Sequence, residues 1–222
     1  MQQHHHCFLS KYSLPEWQAA ITTNATIHKF KRGTVIFRET EAVTGFYFIH
    51  SGKVKVHKQW GEDNRDLIVK FALAGDILGH RGLGQDHFYP VTATVIEDVE
   101  ACFISAEFFH TTLLVNHELA YHMVLFYATE LQKAEQAMRD MVFMSAKSKM
   151  ANALLKIQDI FGTDESGAIQ SNLSRQEIAS YAGTTYETLF KTLNEWIEEG
   201  IIAVSGKSIT IRDQAKLRAL LQ

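Results

Sequence analysis

SRQEIASYAGTTYETLFKTLNEWIEEGIIAVSGKSITI, residues 174–211, has a stop or start signal at nearly every joint. Ser174 followed by Glu177 is a capping box, in which hydroxyl and carboxylate satisfy the first free amides of a short helix. Ile178 and Ala179 are its inward residues, and Gly183 can take the left-handed conformation that ends it. Thr184 followed by Glu187 predicts a second capping box. The helix it opens should carry Leu189, Leu193, Trp196 and Ile197 on one face, with Tyr186, Glu187, Lys191 and Asn194 on or near the other. Two short helices joined at a glycine turn form a helix-turn-helix, whose second helix fits a major groove. IIAVSGKSITI then alternates about Ser205-Gly206-Lys207, the pattern of a hairpin wing.

The side chains suit DNA. Glu187 can accept a hydrogen bond from cytosine N4, and Lys191 can donate to guanine or to a phosphate. Ser174, Arg175, Gln176, Thr184 and Thr185 stand where hydroxyls and backbone amides hold phosphates. Tyr186, Asn194 and Lys207 complete the candidate set. In the competing reading Glu187 only caps its helix and Lys191 is a solvated charge. The hairpin wing beside them favours DNA.

Upstream, residues 116–144 contain neither glycine nor proline. Leu119, Met123, Phe126, Leu131 and Met138 recur within them on one helical stripe, so a single helix of about 28 residues, roughly 42 Å long, is expected. It is longer than one small barrel can cover. Its stripe is expected to meet a second copy of itself and make a homodimer, the competing reading being a helix packed wholly within one subunit.

Residues 26–105 change period again. ATIHKF, TVIFRE, GFYFIHSGKVKVHKQ, DLIVKFAL and TATVIEDVEACFIS are short strand-like runs, with Gly33, Gly45, Gly52, Gly61 and Gly75 expected at the turns between them. Many short strands so spaced indicate a barrel or sandwich. The expected fold class is α+β, in three segments: residues 1–115, a barrel or sandwich of short strands; 116–144, the dimerisation helix; and 145–222, a winged helix-turn-helix.

Composition restricts the alternatives. The net charge of −3 argues against nucleic acid only until the chain is divided: residues 146–222 hold 9 basic and 9 acidic side chains, so the acidity lies upstream. No apolar run reaches the roughly 18 residues of a membrane span, and no signal peptide is visible, which points to the cytoplasm. Two cysteines, Cys7 and Cys102, are too few for a disulfide framework or a four-thiolate cluster. No nucleophile-base-orienter set or nucleotide fingerprint marks an enzyme.

The strand-turn-strand GFYFIHSGKVKV, the turn GDILG, the long helix and SRQEIASYAGTTYETLFKTLNEWIEEGII together resemble the Crp/Fnr family of bacterial transcription regulators, from about residue 10 to the end. The resemblance implies a cyclic-nucleotide-type double-stranded β-helix (cupin-like) as effector domain, a dimerising helix, and a winged helix-turn-helix that reads a palindromic operator, with RNA polymerase as a further partner. It places an effector pocket at Gly79, His80, Arg81, Gly82, Tyr89, Pro90 and Val91. Members that bind cyclic AMP hold the ribose with a glutamate and the cyclic phosphate with an Arg-Ser pair. Here His80 stands for the glutamate and Tyr89-Pro90 for the pair, so a guanidinium and a hydroxyl are lost and Pro90 offers no amide hydrogen. Cyclic AMP is not expected to bind tightly, and the effector is left unidentified.

Other family sensors bind an iron-sulfur cluster, for which Cys7 alone is insufficient, or haem, for which His80 and His87 stand near the pocket. With eleven histidines in the chain, a hydrogen-bonded His is the preferred reading, and neither cofactor nor metal is expected. The N-terminal His4-His5-His6-Cys7 is a poorly preorganised metal site. In place of the Arg-Glu pair and following Arg of cyclic-AMP-responsive members, this chain has Tyr186-Glu187 and Lys191. Its guanine should be less strictly required, with half-sites about one helical turn apart. The rival function is a sensory module whose C-terminal domain contacts protein.

Overall fold

The computed structural model describes residues 8–60 and 65–221. The histidine run, Cys7 and Gly61 lie outside them. Two short helices, α1 (Phe8–Tyr12) and α2 (Gln18–Asn24), precede an antiparallel β-roll of β1 (Thr26–Phe30), β2 (Val35–Phe37), β3 (Gly45–Trp60), β4 (Arg65–Ala72), β5 (Ile77–Leu78) and β6 (Thr92–Ser105). Helices α3 (Ala106–Val115), α4 (His117–Phe143), α5 (Ala146–Phe161), α6 (Arg175–Ala182) and α7 (Tyr186–Glu198) follow. The hairpin β7 (Ile202–Ser205) and β8 (Ser208–Ile211), then α8 (Gln214–Ala219), close the chain.

The sheet order is β1-β6-β3-β4, with β2 added on β6 and β5 on β3. Long strands β3 and β6 pair from Gly45↔Ser105 to His57↔Thr92 and form the spine of the roll. Alternation sends Val54, Val56, Val95, Ala93 and Ala101 into the roll's interior. Phe46, Phe48, Cys102 and Ile104, on the opposite face of the same strands, pack under α1–α4.

Contacts divide the chain into two compact units: residues up to Lys58 with Val69–Lys133, and Gln59–Ile68 with the chain from Ala134 onward. Helix α4, expected as a segment of its own, is shared between them. Within the second unit the buried Ser180 hydroxyl donates to the Asp66 carbonyl at 2.5 Å and accepts from the Ile68 amide, which accounts for the inclusion of residues 59–68. Among the described residues no helix is long and apolar enough to cross a membrane.

Two expectations are corrected. Gly33 and Gly75 do make left-handed turns, but Gly45 opens β3, and Gly52 lies within it, left-handed at φ +88° where the pairing with β6 shifts register. At Gly45 the reason is close approach: a Cβ there would stand 2.3 Å from the Ile104 carbonyl oxygen and 2.4 Å from the Phe103 ring. The second concerns α4. Leu119 is 0% exposed and Met123 is buried, both in the core under the roll, so neither has surface left for a partner chain. Phe126, half-buried, stands edge-on to Phe8 and His80 of its own chain. A helical period identifies an apolar face but not what that face meets.

Gly45→Ala should cost about 1–3 kcal/mol in denaturant unfolding, as overpacking does. Gly84, at φ −61° with no neighbour nearer than 3.9 Å, is the control, and Gly84→Ala should be neutral or slightly stabilising.

Candidate nucleic-acid interface and ligand cavity

Both caps of α6 form as the residues demand. The Ser174 hydroxyl accepts from the Glu177 amide, and the Glu177 carboxylate accepts from the Ser174 amide at 2.9 Å. Gly183 ends the helix at φ +64°, and a Cβ there would press within 2.6 Å of the Met141 side chain. Helix α7 starts one residue later than the expected capping box: its cap is Thr185, whose hydroxyl accepts from the Thr188 amide at 3.2 Å. Thr184 sits in the turn, its amide bonded to the Ala179 carbonyl.

Leu189, Leu193 and Trp196 anchor α7 in the core of the second unit with Ile178, Ala179 and Leu154. Ile197, expected beside them, is 42% exposed. Its angular position explains this, because 100° per residue puts it nearer Tyr186 than Trp196.

The outward face carries Tyr186, Glu187, Lys191 and Asn194, all exposed. It also carries Phe190, which sequence reasoning passed over. Gln176 and Lys207 are exposed as well. Arg175 is half-buried and donates to the Gly206 carbonyl of the wing at 3.3 Å, so it joins α6 to the β7–β8 turn. Ser174 already uses its hydroxyl in the cap.

Among the described residues of the first unit, Gly79, His80, Arg81, Tyr89, Pro90 and Val91 line one cavity with Phe37, Val56, Lys70, Ile77 and Leu78. Gly82 is excluded and packs instead against Val43. Tyr89 fills the space. Its ring stacks on Phe37 at 4.0 Å. Its hydroxyl donates to the Gly45 carbonyl at 2.8 Å and accepts from the Thr44 and Gly45 amides at 3.2 Å. What remains is about 10 Å³, room for roughly one water. Two cations line it: Lys70, already matched by Glu130 of α4 at 3.3 Å and Asp76 at 3.5 Å, and the half-buried Arg81.

His80 forms the cavity's floor. Its Nδ1–H donates to the Ile77 carbonyl at 2.7 Å, leaving the Nε2 lone pair buried without a partner. Burial pushes its pKa down to about 4, with Lys70 and Arg81 adding to the effect, so the ring is neutral at pH 7. Phe126 packs edge-on at 4.9 Å, and the Tyr127 hydroxyl, its pKa raised to about 12 by burial, donates to the His80 carbonyl at 2.5 Å. Among the described residues no group of three or more His, Cys, Asp or Glu is placed to hold an ion.

Comparison with known proteins matches residues 27–116 to the cyclic nucleotide-binding domain and residues 148–220 to the Crp-like helix-turn-helix domain. The chain is 30% identical over 193 residues to the nitrogen fixation regulation protein FixK of Bradyrhizobium diazoefficiens, covering 86% of this chain and 80% of FixK. It is 28% identical over 205 residues to the CRP-like cAMP-activated global transcriptional regulator of Mycobacterium tuberculosis, 91% of each. A solved structure of a putative Crp/Fnr-family regulator from Eubacterium rectale shares the fold, with a TM-score of 0.82 over 94% of each chain at 20% identity.

The chain belongs to the Crp/Fnr family. It is a transcription regulator with a helix-turn-helix DNA-binding domain, and its relatives are regulators, not enzymes. Within this Crp/Fnr chain the β-roll, the long helix and the wing occur in the expected order.

Two measurements check the cavity. Tyr89→Phe should lose about 1–3 kcal/mol of stability, because buried Gly45 and Thr44 groups lose their partner. His80 should titrate near pH 4 by NMR. Since the unfolded imidazole takes its proton near 6.5 and the folded one only near 4, stability should fall as pH drops through that window, by up to about 3 kcal/mol. His80→Gln should flatten that dependence.

Proposed function

We propose that this protein is a homodimeric, sequence-specific DNA-binding regulator acting in the cytoplasm with RNA polymerase, and that its β-roll does not answer to cyclic AMP. The observation that carries the first part is α7 itself: its apolar face is locked into the core while Tyr186, Glu187, Lys191 and Asn194 face outward beside an exposed wing. Glu187 takes cytosine N4 and Lys191 guanine or phosphate. Gln176, Thr185, Lys207 and the backbone amides at the start of α6 position the phosphates. Arg175 acts through the wing it holds, so Arg175→Ala weakens all sequences alike.

Dimerisation is assigned to a different stripe of α4 from the buried one. Tyr121, Val124, Ala128, Leu131, Met138 and Val142 follow steps of three and four through Glu135, and all are exposed; Val124 and Leu131 are 65% and 60% so. This is the a/d spacing of a two-stranded coiled coil. Of the originally expected seam, Leu131 and Met138 remain. Each such side chain buried at a two-fold contributes roughly 1.5–3 kcal/mol.

The Mycobacterium tuberculosis relative is cAMP-activated by its description. In this chain the cavity beside the Tyr89 ring holds about 10 Å³, whereas clefts for small molecules commonly need roughly 300–1,000 Å³, which supports the reading. The domain serves as a scaffold, or senses something small.

Binding to mixed-sequence DNA should weaken steeply with added salt as phosphate contacts exchange for counterions. A salt-independent or absent affinity would favour a protein-contacting C-terminal domain. Val124→Glu with Leu131→Glu should give folded monomers by sedimentation and abolish operator binding. Dimers that persist would place the seam elsewhere, and monomers with full operator affinity would show that operator binding does not need the dimer.

A further inference from the structure

Phe190 lies in the second turn of α7, between Tyr186 and Asn194 at steps of four, and is 56% exposed. Tyr186, 42% exposed, lies nearly parallel to it at 6.4 Å with 18° between the planes. The helix thus carries a two-ring apolar surface next to Glu187, Lys191 and Asn194. The core has no need of it, since Leu189, Leu193 and Trp196 already anchor the helix. Left in water, the rings lose the stabilisation that burial gives. Continuity with the base-reading face determines what covers them.

A phenyl ring neither donates nor accepts a conventional hydrogen bond. Of the features that base edges present in the major groove, the C5-methyl of thymine is the one apolar group that projects into it, where cytosine shows only a C–H. We infer that Phe190, backed by Tyr186, is a specificity-determining residue that selects thymine through its methyl group at one position of each half-site. This rests on the DNA-reading function proposed above. It also adds a positive requirement to the operator: where Glu187 demands a cytosine, the neighbouring position contacted by Phe190 demands a methyl. The pairing partner of that thymine is not read by this side chain.

The test isolates the methyl. Full-length protein is used to select its site from random duplexes. Each thymine of the selected site is then replaced by deoxyuridine, which keeps pairing and hydrogen bonds and removes only C5-methyl. One thymine per half-site should show a loss of about four-fold when replaced in one half and about fifteen-fold in both, the effect of one methyl's burial. The loss should vanish in Phe190→Ala, which, being a surface change, should keep the wild-type circular dichroism spectrum and melting curve. Phe190→Leu should retain part of it.

Tight binding with no deoxyuridine penalty at any position would overturn the assignment while leaving DNA reading intact. So would a penalty that Phe190→Ala leaves unchanged, or a selected half-site without thymine. Failure to bind any duplex would overturn both.

Discussion

The hydroxyl of Tyr89 meets the backbone of Thr44 and Gly45 deep in the β-roll, and much of the first unit is arranged around that meeting. Gly45 must lack a side chain because β6 passes within van der Waals contact of its α-carbon. At the same place the tyrosine oxygen reaches both amides and the Gly45 carbonyl. Once the oxygen is fixed, the ring has one place to lie, against Phe37. The chain carrying it is held too, since the Tyr89 amide donates to the Glu41 carbonyl and the Thr40 amide to the Tyr89 carbonyl. Where the family resemblance leads one to expect a phosphate-binding arginine, this chain has packed aromatic volume at Tyr89. Chemistry and shape change together.

Helix α4 satisfies two demands with one sequence. Leu119 and Met123 complete the core under the roll, while Tyr127 and Glu130 reach His80 and Lys70 at the cavity's edge. The stripe through Val124 and Leu131 faces elsewhere. At 3.6 residues per turn two apolar stripes can run side by side without merging, one for the chain's own core and one left exposed, which the proposed dimer would cover. A charge on the first is expected to damage folding, and a charge on the second only assembly.

The DNA-reading segment was legible in sequence because its signals are local. A capping box, a glycine with positive φ and a two-residue hairpin turn each act within a few residues. Ser174 with Glu177, Gly183, and β7 with β8 duly appear. The cap at Thr185, not Thr184, is a choice between adjacent threonines of equal chemistry. Side-chain direction was less legible. Nothing local distinguishes a Tyr89 that points inward from one that points to solvent, nor a Leu119 that meets its own sheet from one that meets a partner. Those outcomes depend on residues far along the chain, such as Gly45 and Phe37. Phe190 was available from helix geometry, lying off the Leu189–Trp196 face, but an apolar residue in an amphipathic helix is easily assigned to the core.

On the proposed function, the β-roll is closed to cyclic nucleotides while the helix-turn-helix still reads DNA. Calorimetric titration of cyclic AMP and cyclic GMP into the purified full-length protein is the decisive measurement. No saturable heat is expected with either nucleotide up to about 1 mM, where even a binding free energy of about −4 kcal/mol would register. One-to-one binding at micromolar or tighter affinity for either nucleotide would contradict that closure, because Tyr89 would then have to leave the Gly45 backbone and Phe37.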